Sequence, residues 1–101
     1  MAFFKKIPSI TVVELADKMG EKPVIVDVRE RFEYASDHIE GSQNVPLTKL
    51  KTFDYEGPIY IICHSGARSK LATQYLYKRG YDVTNVKGGL MKWNSMVSRK
   101  N

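Results

Sequence analysis

The sequence predicts an α/β fold in which a central, mostly parallel β-sheet is flanked by helices on both faces. Three observations carry that expectation. Pro23-Val24-Ile25-Val26-Asp27-Val28 and Ile59-Tyr60-Ile61-Ile62 are short β-branched apolar runs without polar alternation, the pattern of strands covered on both sides. Helix-like and strand-like stretches alternate from end to end, as a parallel sheet with crossover helices requires. No linker, repeat or low-complexity segment separates them, so the 101 residues are expected to form a single domain, 1–101.

The elements can be placed in order. Thr11-Val12-Val13-Glu14 has the form of a capping box, in which a hydroxyl and a carboxylate satisfy two free amides at a helix start. That helix should run to about Met19 and stop at Gly20. The first apolar run is then a strand, followed by a polar helix near Arg31 to Ser36 and a short extended piece, Ser42 to Val45, closed by Pro46. The second apolar run ends at Cys63. From Ser69 to Arg79, Leu71, Ala72, Tyr75 and Leu76 fall on one helical face, and Gly80 terminates the helix. Tyr81 to Lys87 reads as the last strand. Gly88-Gly89 turns the chain into a final helix around Leu90 to Val97.

Composition excludes several classes. At 43% hydrophobic and 27% charged, the chain is neither disordered nor fibrous. Its single cysteine forbids an internal disulfide and, with only two histidines, cannot complete a structural zinc site, so no metal is expected and a reducing compartment is the natural setting. Met1 to Lys6 lacks the features of a signal peptide and no stretch approaches a membrane span. A cytoplasmic location without membrane association is expected. The net charge of +5 comes from lysines and arginines scattered in ones and twos, among them Lys5, Lys6, Lys49, Lys51 and Lys100. Dispersed charge of this kind suits a solvated basic surface that attracts small anions, and nucleic acid is not the expected partner.

In open parallel sheets, ligands sit at the carboxyl ends of the strands. That rule singles out Asp27 and Cys63, which close the two buried-looking strands. Cys63-His64-Ser65-Gly66-Ala67-Arg68-Ser69 joins a strand directly to the start of an amphipathic helix. Free amides and the helix dipole favour an anion there and therefore favour the thiolate, the nucleophilic form of cysteine. Gly66 lets backbone approach a bound group, and Arg68 supplies a fixed cation. A lone cysteine is more often a small buried hydrophobe. The loop around this one tips the reading toward reactivity.

Four landmarks in one order now define a resemblance that covers nearly the whole chain. Asp27-Val28-Arg29-Glu30 with Phe32 and Glu33, His38-Ile39-Glu40-Gly41-Ser42-Gln43-Asn44-Val45-Pro46, Cys63 to Arg68 as C-x-x-G-x-R, and Gly88-Gly89-Leu90-Met91-Lys92-Trp93 are together similar to the rhodanese family. Ser42 replaces that family's usual alanine. The resemblance implies a rhodanese-like fold and a sulfurtransferase cycle without cofactor. Cys63 would take sulfur from a small anionic donor such as thiosulfate, carry it as a persulfide, and yield it to cyanide, a thiol or a protein acceptor. It implies that His64, Ser65, Gly66, Ala67, Arg68 and Ser69 form the substrate-binding loop and that Asp27 and Arg29 support it without reacting. His38 is expected to fix the turn before Asn44, and Trp93 to pack in the core.

Cysteine phosphatases use the same strand-to-helix cradle with H-C-x-x-x-x-x-R. Here Ile62 precedes the cysteine and Arg68 comes one position too early. Two other readings keep the fold: a persulfide relay to a partner in tRNA or cofactor thiolation, and a non-catalytic interaction module. The intact loop disfavours the module.

Overall fold

The computed structural model of the protein describes residues 6–99. The stretch read for targeting signals lies almost wholly outside them, as do Lys5 and Lys100. Five strands form one parallel sheet in the order β1-β5-β4-β2-β3, where β1 is Ser9–Ile10, β2 Val24–Asp27, β3 Gln43–Asn44, β4 Ile59–Ile62 and β5 Val83–Val86. Four helices connect or flank them: α1 Val12–Lys18, α2 Arg31–Ser36, α3 Ala67–Lys78 and α4 Gly89–Arg99. In register, Val24 lies beside Ile59 and Asp27 beside Ile62, so the carboxyl ends of the two central strands are level.

Side chains alternate across the sheet and make one core on each face. Val26, Ile59, Ile61, Cys63 and Val83 pack with Ala72 and Leu76 of α3 and with Leu50. Ile25, Ile62 and Val86 pack on the other face with Val12 and Leu15 of α1 and Leu90 of α4. This two-sided burial is why the strand sequences carry no polar alternation. Trp93 is part-buried against the second core, as expected.

The Thr11 capping box is present, with the Glu14 amide donating to Thr11 Oγ1 at 3.1 Å and the Thr11 amide to Glu14 Oε1 at 2.8 Å. The expected stop at Gly20 is not. α1 gives way to a 3₁₀ turn, Met19–Glu21, and Lys22 takes the left-handed conformation at φ 54° that ends it. Gly80 does terminate α3, at φ 90°, with the Tyr81 amide donating back to the Leu76 carbonyl. α3 starts two residues before Ser69, and α4 runs past Val97 to Arg99. β5 is shorter than the Tyr81 to Lys87 run. Two elements were not expected: β1, too short for any period to show, and a 3₁₀ segment Leu47–Thr52 that carries Leu50 into the core.

Candidate active site

Cys63 follows β4 at the carboxyl edge of the sheet. Its residue surface is only 1% exposed, and its stem belongs to the α3-side core. A purely hydrophobic role would leave the sulfur among carbon atoms. Instead the amides of Gly66 and Ser69 donate to Sγ at 3.1 and 3.2 Å, and the thiol lies 3.4 Å from Ser69 Oγ. Ser69 Oγ in turn donates to the Gly66 carbonyl at 3.1 Å, which tightens the turn. Gly66, at φ 115°, takes a conformation that a side chain would strain. The loop therefore converges N–H donors on one sulfur atom at a helix N-terminus.

The outside of the loop is fixed by the other end of the sequence. The first amides of α4 donate to loop carbonyls, Leu90 to Cys63 at 2.8 Å and Met91 to His64 at 2.9 Å. The peptide units so held carry the amides of His64 and Ser65, and Ala67 and Arg68 open α3, so none of these four amides has a partner among the described residues. They remain available to an anion. The fit is close at Gly89, where a Cβ would sit 2.5 Å from the carbonyl oxygens of both Cys63 and His64. No larger residue can occupy that place without moving the loop. His64 and Ser65 are exposed, and the His64 ring makes no hydrogen bond among the described residues.

Arg68 is half-buried and reaches Glu33 of α2 with two hydrogen bonds, Nη1 to Oε1 at 2.6 Å and Nη2 to Oε2 at 2.9 Å. The Arg68 guanidinium holds the Glu33 carboxyl at about 2, against an ordinary value of 4.5. Glu33 raises the Arg68 pKa in return, with a smaller contribution from charge at Cys63. The Arg68 cation of the loop is thus engaged by a carboxylate of α2.

Asp27 and Arg29 meet below the loop, but not as a surface pair. They are 1% and 3% exposed, with Arg29 Nε donating to both Asp27 oxygens at 3.0 and 3.1 Å and Nη2 to Oδ2 at 2.9 Å. Arg29 Nη2 also donates to the Asp37 carbonyl at 2.6 Å. Burial pulls the Arg29 pKa down, and the Asp27 carboxylate more than offsets it, so the net shift is upward. Asn44 completes this clamp, donating from Nδ2 to the carbonyls of Asp27 at 3.0 Å and Arg29 at 2.9 Å. His38, expected to fix the turn before Asn44, makes its contacts back on α2. Its ring stacks on Tyr34 at 3.8 Å between centroids and its Nδ1 bonds the Tyr34 carbonyl at 2.7 Å, closing the end of α2.

Glu33, Asn44 and Gly89 are the site residues that sequence reasoning did not assign. All three lay inside quoted landmarks, and Glu33 also stood three residues after Glu30, the spacing that lets its Oε1 accept from the Glu30 amide at 3.0 Å.

A parallel sheet that presents one cysteine at its carboxyl edge, with the amides of Gly66 and Ser69 donating to its sulfur, defines a small α/β protein with a strand-to-helix cysteine loop. The rhodanese-like domain profile matches residues 11–96, and the chain belongs to the rhodanese-like family. It is 34% identical over 102 residues to the thiosulfate sulfurtransferase GlpE of Pseudoalteromonas translucida, covering 96% of this chain and 95% of that one. It is 38% identical over 84 residues to the uncharacterized protein YqhL of Bacillus subtilis, covering 78% and 67%. A crystal structure of a rhodanese-like domain protein from Staphylococcus aureus superposes with a TM-score of 0.77 at 39% identity, covering 86% of this chain and 91% of that one. This kinship supports sulfur transfer as the class of reaction. No helix among the described residues is long and apolar enough to cross a membrane.

Proposed function

We propose that the chain works as a single-domain sulfurtransferase in which Cys63 carries the sulfur. The convergence of the Gly66 and Ser69 amides on Sγ carries this reading, because preorganised donors favour a charge that develops on the atom they face. In the first half-reaction the Cys63 thiolate attacks the outer sulfur of a donor such as thiosulfate. A sulfur–sulfur bond forms to Cys63, the donor's own sulfur–sulfur bond breaks, and sulfite leaves with the electron pair. In the second, cyanide or a thiolate attacks the outer sulfur, producing thiocyanate or a new persulfide and returning the Cys63 thiolate.

The free amides of His64, Ser65, Ala67 and Arg68 would hold the terminal charge of the donor and of the persulfide, with Arg68 adding the field that Glu33 leaves uncompensated. Asp27, Arg29 and Asn44 would keep the carboxyl edge of β2 rigid beneath them. No proton need be moved by His64. The GlpE relatives support thiosulfate as donor, and the cycle needs no cofactor.

Mass spectrometry after thiosulfate treatment tests the reading. One added sulfur on the native protein, removable by cyanide, is expected. Cys63→Ser should stay folded, gain no sulfur and lose all transfer to cyanide; sulfur loading in that variant would overturn the proposal.

A further inference from the structure

A groove of about 460 Å³ lies between the 3₁₀ segment Leu47–Thr52 and α3, with Leu47, Leu50, Lys51, Leu71, Ala72 and Tyr75 among its walls. Sulfur chemistry at Cys63 uses none of these side chains. Yet the groove opens beside the loop, because α3 begins there and the Leu47 amide donates to the Val28 carbonyl, one residue past Asp27. Leu71 stands 61% exposed two residues beyond Ser69, and Tyr75 one turn further is also open. Leu71 and Tyr75 thus join the groove wall into one contiguous apolar patch, and such patches mark surfaces that another molecule covers.

Charge narrows the occupant. Leu47–Thr52 carries Lys49 and Lys51, α3 carries Arg68, Lys70 and Lys78, and neither segment contains an aspartate or glutamate. Among the described residues only Arg68 of these is neutralised, by Glu33. A second copy of this chain, itself at +5, would meet like charge. One face of the Tyr75 ring is already taken by the Arg79 guanidinium at 5.1 Å, which leaves less aromatic surface for stacking the bases of a single-stranded nucleic acid.

Resting on the sulfur-transfer reading, we propose that this groove docks an acidic segment of the protein that receives sulfur from Cys63. An apolar side chain of the acceptor seats between Leu47, Leu71 and Tyr75, and its carboxylates face Lys51 in the groove wall, within the field of the exposed Lys49 and Lys70 on the same two segments. Such docking delivers the acceptor's thiolate to the outer sulfur of the persulfide. That thiolate forms the new sulfur–sulfur bond as the bond to Cys63 breaks, and Cys63 leaves as thiolate.

The test uses three synthetic peptides with one cysteine each: one carrying three aspartates and a leucine, one with lysines for the aspartates, and one with serine for the leucine. With persulfide-loaded native protein at low salt, the acidic leucine peptide should accept sulfur at least about tenfold faster than either control, an advantage that high salt reduces. Leu71→Asp and Lys51→Glu, both at exposed positions, should abolish the advantage while thiosulfate-to-cyanide transfer is unchanged. Binding is read separately by NMR, using the acidic peptide with serine for its cysteine; shifts should centre on Leu47, Leu71 and Tyr75 in the unloaded protein. This arm stands even if Cys63 proves not to load sulfur, so the two readings fail separately. Equal rates for the three peptides, shifts centred elsewhere, or larger shifts at the groove from oligouridylate or from self-association would overturn the proposal.

Discussion

Asp27–Arg29 and Glu33–Arg68 join the same kinds of side chain beside the same loop, but the first spans two residues and is sealed, while the second spans 35 and stays part-open. Side-chain exposures of 4% and 1% in the first pair compare with 36% and 23% in the second. A buried pair is poor evidence of net stabilisation, because desolvation consumes most of its attraction, but removing one partner strands the other. A part-exposed pair contributes little to stability and leaves its charges able to act on something else. The difference separates a sealed pair at the end of β2 from an open pair whose cation belongs to the cysteine loop.

Neutralising the sealed pair should give the largest change in stability. Asp27→Asn leaves the Arg29 guanidinium buried without its carboxylate and should cost about 3 to 5 kcal/mol, toward the lower end because Asp37 also faces Arg29. Urea unfolding measures it. A midpoint equal to that of the native protein would mean the clamp is held by Asn44 alone.

The open pair should respond in the opposite sense, with activity falling and the fold hardly changed. Arg68→Ala removes a charge-assisted contact to an anionic donor, worth roughly 1.5 to 3 kcal/mol, so kcat/KM for thiosulfate should drop by about one to two powers of ten. Its unfolding midpoint should stay close to native. An unchanged kcat/KM would show that the loop amides bind the donor without Arg68.

Acid should expose the smallest effect. The folded Glu33 carboxyl, at about 2, lies below its ordinary 4.5, so its contribution is complete above 4.5 and is lost as pH falls through 2. Solvent screening limits that contribution to about 1 kcal/mol. The stability gap between native protein and Arg68→Ala should therefore narrow as pH is lowered across this window, and a gap independent of pH would place the pair's contribution elsewhere.

The two pairs also differ in how legible they were. Asp27 and Arg29 could be placed at a strand end because the apolar run before them is continuous, although nothing in the sequence told that their pair would be buried. Arg68 was visible as the end of the loop, but its partner lies on another helix, 35 residues earlier, and only the fold brings the two together. The cradle at Cys63 was legible because a strand running straight into a helix fixes where the first amides point. The hold of α4 on the loop was not, since the Gly88-Gly89 turn announces a bend without saying what the following helix touches. Elements of two residues, such as β1, have no period to read.

Leu90 and Met91, which hold the loop carbonyls, are made well after Cys63 during synthesis. The sulfur centre therefore reaches its final geometry only when α4 has docked, late in the order of translation.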